Sequence, residues 1–171
     1  PRHLYFLQVL SGAFDIAAGL PEPKRAYYAA QRENSAAVRA HFAALAEADH
    51  AEFSPRLNGD AAKMREVADI NNPALVEEIA ATGAEVVFLF GTEILAPYWL
   101  DAFPDRIINL HLGLSPYYRG SATLFWPCAN GEPECVGATI HLAVQKVDAG
   151  ALLARIKVDP EIGDSYYSLT N

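Results

Sequence analysis

The chain has 171 residues, 51% hydrophobic and 20% charged, with a formal charge of −8 at pH 7. That length builds one domain with a core of its own, the composition excludes a disordered or collagen-like chain, and the acidic balance gives no help in gripping a phosphate backbone, which argues against a nucleic-acid partner. No apolar run reaches the roughly 20 residues of a membrane-spanning helix, and the start PRHLYFLQVL lacks a charged head followed by a long apolar core, so the chain reads as cytoplasmic.

Arg2 to Leu10 carries Leu4, Leu7 and Leu10 at helical spacing, and Gly12 punctuates it. Phe14 to Leu20 reads as a short buried strand ended by Pro21 and Pro23. A helix is expected from Ser35 to about Asp49, capped by Asn34 or Ser35, with Val38, His41, Phe42 and Leu45 on one stripe. His41 lies on or beside that stripe, and His50 lies near the helix end, where a cation is favoured; neither is read as a ligand. Residues 51–63 show no clear period and read as loop with a possible short strand. Asn71-Asn72-Pro73 starts a helix, with Asn72 as cap and Pro73 in the first position. That helix runs through Leu75, Val76, Ile79 and Ala80 and stops at Gly83.

Val86 to Phe90 is a continuous apolar run, the pattern of a central parallel strand covered on both faces. Gly91-Thr92 breaks it, Ile94 to about Phe103 forms a short helix or turn around Pro97, and Arg106 to Leu112 is the next strand. Strands alternating with helices predict an open, mostly parallel α/β sheet. In such sheets ligands bind beyond the carboxyl ends of the strands, here Thr92 to Leu95 and His111 to Ser115. After a helical Ala122 to Ala129, the stretches Ala138 to Val144 and Leu152 to Val158 alternate and read as a strand pair joined through Asp148-Ala149-Gly150. Gly163-Asp164-Ser165 opens a last helix.

Two residues apart on a strand, Asn109 and His111 share a face. With Asp148 in the same pocket, an amide, an imidazole and a carboxylate can move protons and stabilise an oxyanion. Each also has a plain structural reading: Asn109 closing a strand end, His111 as a hydrogen-bonded core histidine, Asp148 as a turn residue. His141, on an alternating strand beside Ile140 and Leu142, reads as structural. Cys128 and Cys135 read as reduced thiols, and no further ligands at ordinary spacing suggest a metal site.

Asn109-Leu-His111, the Gly113-Leu-Ser-Pro116 turn, Arg119-Gly120, Gly137-Ala-Thr139-Ile-His141 and Asp148-Ala-Gly150 together resemble the formyltransferases that use 10-formyltetrahydrofolate. The resemblance is clear over about Ala84 to Gly150. It implies the formyltransferase fold, a Rossmann-like open sheet with helices on both faces that ends in an antiparallel strand pair. The whole chain, residues 1–171, is then one catalytic domain that lacks the family's first strand and is shortened near its C-terminal helix. The resemblance further implies that Asn109, His111 and Asp148 are the catalytic residues. Asn109 and protonated His111 would donate to the oxyanion, His111 would shuttle the amine proton, and Asp148 would orient the imidazolium. It implies a folate site from Glu93, Ile94 and Leu95 and from Val144, Gln145, Lys146 and Val147, and substrate contacts from Ser115, Arg119 and Gly120. No metal is implied. The family turn commonly reads Ser-Leu-Leu-Pro where this chain has Gly113-Leu-Ser-Pro116. The expected acceptor is a primary amine on a small or sugar-like molecule. The alternatives are water, as in the deformylases, to which Arg106-Ile-Ile-Asn109 and Gly137-Ala-Thr139 are similar; methionyl-tRNA; and a folate-binding remnant without turnover.

Overall fold

In the computed structural model of the chain, which describes residues 1–23, 35–58 and 64–169, two units separate, one within Pro1–Ile70 and one from Asn71 onward. In the first unit, helices α1 (Arg2–Ser11) and α2 (Ala36–Phe53) meet through Tyr5 and Phe53, whose ring centroids lie 5.4 Å apart. The Arg2 guanidinium donates to the Asp49 carboxylate at 2.7 Å. Ser35 caps α2 by accepting from the Val38 N–H at 3.4 Å, and Asn34 lies outside the described residues. Val38, His41, Phe42 and Leu45 are half-buried, as their stripe requires. The helix runs past Asp49 into a 3-10 turn, Ser54–Arg56, and His50 meets the Ser54 hydroxyl at 2.9 Å. Of the stretch read as loop with a possible strand, residues 51–56 are thus helical and 59–63 lie outside the described residues.

Phe14 to Leu20 is not the buried strand its composition suggests. Phe14 is exposed, and the segment makes a single parallel bridge, Gly19 to Met64. The chain stays in register for two further bonds, Arg65 N–H to the Gly19 carbonyl and Val67 N–H to the Pro21 carbonyl. Pro21 and Pro23 have no N–H to return, so a full ladder cannot form there.

In the second unit, α3 (Pro73–Ala81) starts as expected. The Asn72 side chain accepts from the Ala74 N–H at 3.0 Å, and Pro73 takes the first helical position. The helix buries Leu75, Val76 and Ile79 and ends before Gly83, whose φ of 77° is the left-handed conformation that stops a helix. Strand β1 (Val87–Phe90), helix α4 (Pro97–Ala102) and strand β2 (Ile107–His111) follow. Trp99 and Phe103 stack with centroids 5.9 Å apart and, with Ile107 and Val136, form the most buried part of the core. After α5 (Phe125–Ala129) and a 3-10 turn (Pro133–Cys135) come β3 (Gly137–Leu142), β4 (Leu152–Lys157) and a short α6 (Tyr166–Leu169).

The sheet has the order β1-β2-β3-β4, with β1 and β2 parallel and the two later ladders antiparallel. The α/β architecture and the closing antiparallel pair match the expectation. Among the described residues, parallel pairing is confined to β1–β2 and the Gly19–Met64 bridge. β1 lies at one edge of this sheet with Leu89 alone buried, because an apolar run reports burial tendency and not a strand's rank. β4 forms the other edge and is exposed on both faces. β1 and β2 run in the same direction, so Phe90 and His111 end at the same side of the sheet. Among the described residues, no helix is long and apolar enough to cross a membrane.

The Asn72 cap carries a stability prediction. Asn72→Ala leaves an N-terminal N–H of α3 without its partner and is expected to cost about 1 kcal/mol. A urea titration should show a lower midpoint with an unchanged slope.

Candidate active site

The antiparallel register of β2 and β3 sets the site. Asn109 pairs with His141 and His111 with Thr139, so these four side chains share one face of the sheet. The connection from β3 to β4 then folds back over that face. It turns at Lys146–Ala149, where the Ala149 N–H donates to the Lys146 carbonyl at 3.2 Å, and Asp148 takes a positive φ of 47°. Aspartate tolerates that conformation better than most residues. The return is tight: a Cβ on Gly150 would run into the Leu142 carbonyl, so only glycine fits beside Asp148's turn.

The Asp148 carboxylate is the hub. Oδ1 accepts from Asn109 Nδ2 at 3.2 Å and lies 3.3 Å from His141 Nε2. Oδ2 lies 3.4 Å from His111 Nδ1 and accepts from the Gly120 N–H at 2.8 Å. The side chains of Asp148, His111 and His141 are 9%, 7% and 2% exposed, so the pairing is made away from bulk water. Asn109, His111 and Asp148, expected together, are brought together.

His141 joins them, although its alternating strand suggested a structural residue. Its Nδ1–H donates to the Leu142 carbonyl at 2.8 Å. In the neutral ring Nε2 is then an acceptor. Asn109 Nδ2, 3.2 Å from that nitrogen, has two protons, one for His141 and one for Asp148. The signal that marks His141 is the inward face of β3, which carries Gly137, Thr139 and His141 where a purely structural strand would carry apolar residues. Thr139 has its own task. Its hydroxyl donates to the Gly113 carbonyl at 2.7 Å and accepts from the Ser115 N–H at 3.0 Å, fixing the turn after β2.

His111 is held from both sides. Nε2–H donates to the Tyr118 carbonyl at 3.0 Å, and Nδ1 faces Asp148. Both ring nitrogens therefore meet acceptors, which the doubly protonated ring satisfies in full. A Cβ at position 113 would collide with His111 Nε2 and lie 2.7 Å from the Thr123 Cβ, so the glycine leaves the room the ring occupies. Tyr118 is tied down by its side chain: the hydroxyl donates to Glu132 and accepts from Asn130 Nδ2 at 3.2 Å.

The remaining expected residues separate. Ser115 is fully buried under the turn, and its hydroxyl finds no hydrogen-bond partner among the described residues. Expected to contact substrate, Ser115 has no exposed surface in the structure, and its N–H is bonded to the Thr139 hydroxyl. Gly120 acts through its N–H on Asp148, and Arg119 is exposed. Ile94 is 71% exposed, and Glu93, Val144, Gln145, Lys146 and Val147 are exposed as well, with Leu95 half-buried. These loops thus hold the apolar side chains of Ile94, Val144 and Val147 in solvent. Cys128 and Cys135 are free and half-buried. Among the described residues, no group of three or more His, Cys, Asp or Glu side chains has the geometry to hold a metal ion.

Compared with known proteins, residues 15–171 match the sequence model of a family described as formyl transferase. The glycinamide ribonucleotide transformylase 1 of Symbiobacterium toebii is similar at 27% identity with a TM-score of 0.55, over 63% of this chain and 54% of that one. The phosphoribosylglycinamide formyltransferase of Bacillus halodurans is similar at 26% identity with a TM-score of 0.52, over 57% of this chain and 50% of that one. The phosphoribosylglycinamide formyltransferase of Anaplasma phagocytophilum, at 24% identity and a TM-score of 0.56 over 63% of this chain and 52% of that one, shares the fold. The matched part of this chain spans about half the length of these structures.

The Tyr118 anchor is open to titration. Its bond to Glu132 raises the Tyr118 pKa above the ordinary 10.0, while the Asn130 amide acts in the opposite direction. A raised phenol pKa means that the bond is intact below the ordinary value and is lost as pH rises through the raised one. Glu132→Gln should move the Tyr118 titration down toward its ordinary value, read by ultraviolet absorbance against Tyr118→Phe.

Proposed function

The chain belongs to the formyl transferase family, and from that premise we propose that it moves a formyl group from 10-formyltetrahydrofolate to a primary amine of a small or sugar-like acceptor. The observation that carries this reading is the contact of Asn109, His111 and Asp148 on one buried face. The folate supplies an activated formyl carbon. The acceptor nitrogen bonds to that carbon, the carbon's bond to the folate nitrogen breaks, and one proton passes from the amine to the leaving nitrogen.

The side chains have distinct parts in this. Asn109 Nδ2–H and a protonated His111 donate to the oxyanion that develops on the formyl oxygen. His111 also carries the proton between the two nitrogens. Asp148 orients the ring through Nδ1 and balances its charge. His141, through Nε2, holds the Asn109 amide against Asp148 and so fixes the direction of its second proton. In the structure these donors are engaged by Asp148, His141 and the Tyr118 carbonyl. Transfer requires that one such partner be exchanged for the oxyanion, a tightening that commonly accompanies substrate binding. Glu93, Ile94 and Leu95, with Val144 to Val147, receive the folate, and Arg119, exposed beside the Gly120 contact, is the side chain we assign to the acceptor.

His111→Ala and Asp148→Ala are each expected to abolish formyl transfer with the fold retained. Asn109→Ala should lower kcat by about 10²–10³, as loss of one oxyanion donor does. Turnover of 10-formyltetrahydrofolate, followed as tetrahydrofolate release with and without a panel of amines, checks all three. Wild-type turnover surviving in the His111 or Asp148 variant overturns the assignment. Release that needs no amine would make water the acceptor and the enzyme a hydrolase.

A further inference from the structure

Resting on the folate reading above, we infer that Asn71 is a positioning residue for the folate, its side-chain amide holding the loop after β1 in the shape that receives the ligand. Residues 91–96 have no regular structure, so their backbone donors and acceptors need partners from elsewhere. Asn71 supplies two. Its Nδ2 donates to the Ile94 carbonyl at 3.0 Å, and its Oδ1 accepts from the Ala96 N–H at 2.6 Å.

A carboxamide sets one donor and one acceptor side by side. Bonded to the carbonyl of one residue and the N–H two residues on, it takes the place of a neighbouring strand. In an extended chain, groups two residues apart share a side, so the Leu95 N–H and C=O face away from Asn71. The clamp thereby leaves the Leu95 backbone groups outside its own two bonds, while Ile94 stands exposed beside them. Asn71 is itself anchored: the Tyr98 hydroxyl donates to its carbonyl, and the next residue, Asn72, caps α3. The loop that would meet the folate is therefore referenced to two helices, α3 before it and α4 after it.

Pre-shaping of this kind acts on binding and not on the chemical step. Two variants of the full chain test it. Asn71→Ala removes both bonds. Asn71→Asp keeps the shape and the acceptor for Ala96 but has no proton for the Ile94 carbonyl. Both should raise the Kd for 5-formyltetrahydrofolate, a stable analogue, by about tenfold, the effect of losing one or two hydrogen bonds. Both should leave kcat at saturating folate within about twofold of wild type, since only binding is weakened. Hydrogen exchange at the Ala96 amide, measured without ligand, should quicken in Asn71→Ala. A Kd unchanged in both variants, with the wild type binding normally, overturns the positioning role and leaves the folate reading standing. Unchanged exchange at Ala96 overturns the clamp itself. A wild-type chain that binds no folate overturns the folate reading and this inference with it.

Discussion

One carboxylate, held by four groups from three parts of the chain, organises the second unit. Asp148 meets Asn109 and His111 on β2, His141 on β3, and the Gly120 N–H in the loop between them. A carboxylate shielded from water is costly unless each oxygen is hydrogen-bonded or paired. Oδ2 has two such partners, His111 and the Gly120 N–H, and Oδ1 accepts from Asn109 with His141 Nε2 3.3 Å away, so the cost is offset only while β2, β3 and both loops hold their relative places. The same contacts that gather these side chains therefore lock the sheet face to the loops that cross it.

Space is the second constraint, and glycine meets it at two close approaches around the site. At position 113 the missing side chain is the room taken by the His111 ring. At position 150 the missing Cβ lets the chain pass the Leu142 carbonyl immediately after Asp148. The family turn commonly carries serine at the first of these positions. Here the glycine faces an imidazole hydrogen-bonded to the Tyr118 carbonyl, and Ser115 is buried in the same turn. The loop from Leu112 to Leu124 thus does more than connect two elements: through Tyr118 and Gly120 it supplies a hydrogen-bond partner to both the imidazole and the carboxylate.

Much of this was legible in the sequence because it is local. Asn72-Pro73 and Gly83 bracket a helix through capping and a left-handed stop, both decided within a few residues. Alternation alone put Asn109 and His111 on one face. Phe14 to Leu20 misled because its apolar composition is that of a strand, while prolines at its end deny the donors a ladder needs. The burial of Ser115 was not legible beside Asn109 and His111, because Thr139, on a distant strand, holds the turn in which it lies.

What the sequence by itself determined, then, is the set of short-range choices: the helices, their caps, the parity of each strand, and the residue types from which a proton-transfer site can be made. Tertiary structure alone decided the partners. His141 stands opposite Asn109 because the β2–β3 register puts it there, and no pattern within either strand specifies that register. Asn71, one residue before a cap, holds a loop more than twenty residues on. Tyr118 offers its carbonyl to His111 because Glu132 and Asn130 hold its hydroxyl. The physical reason is common to all three: periodicity fixes which way a side chain points relative to its own backbone, whereas what it meets depends on the paths of segments that local forces do not set.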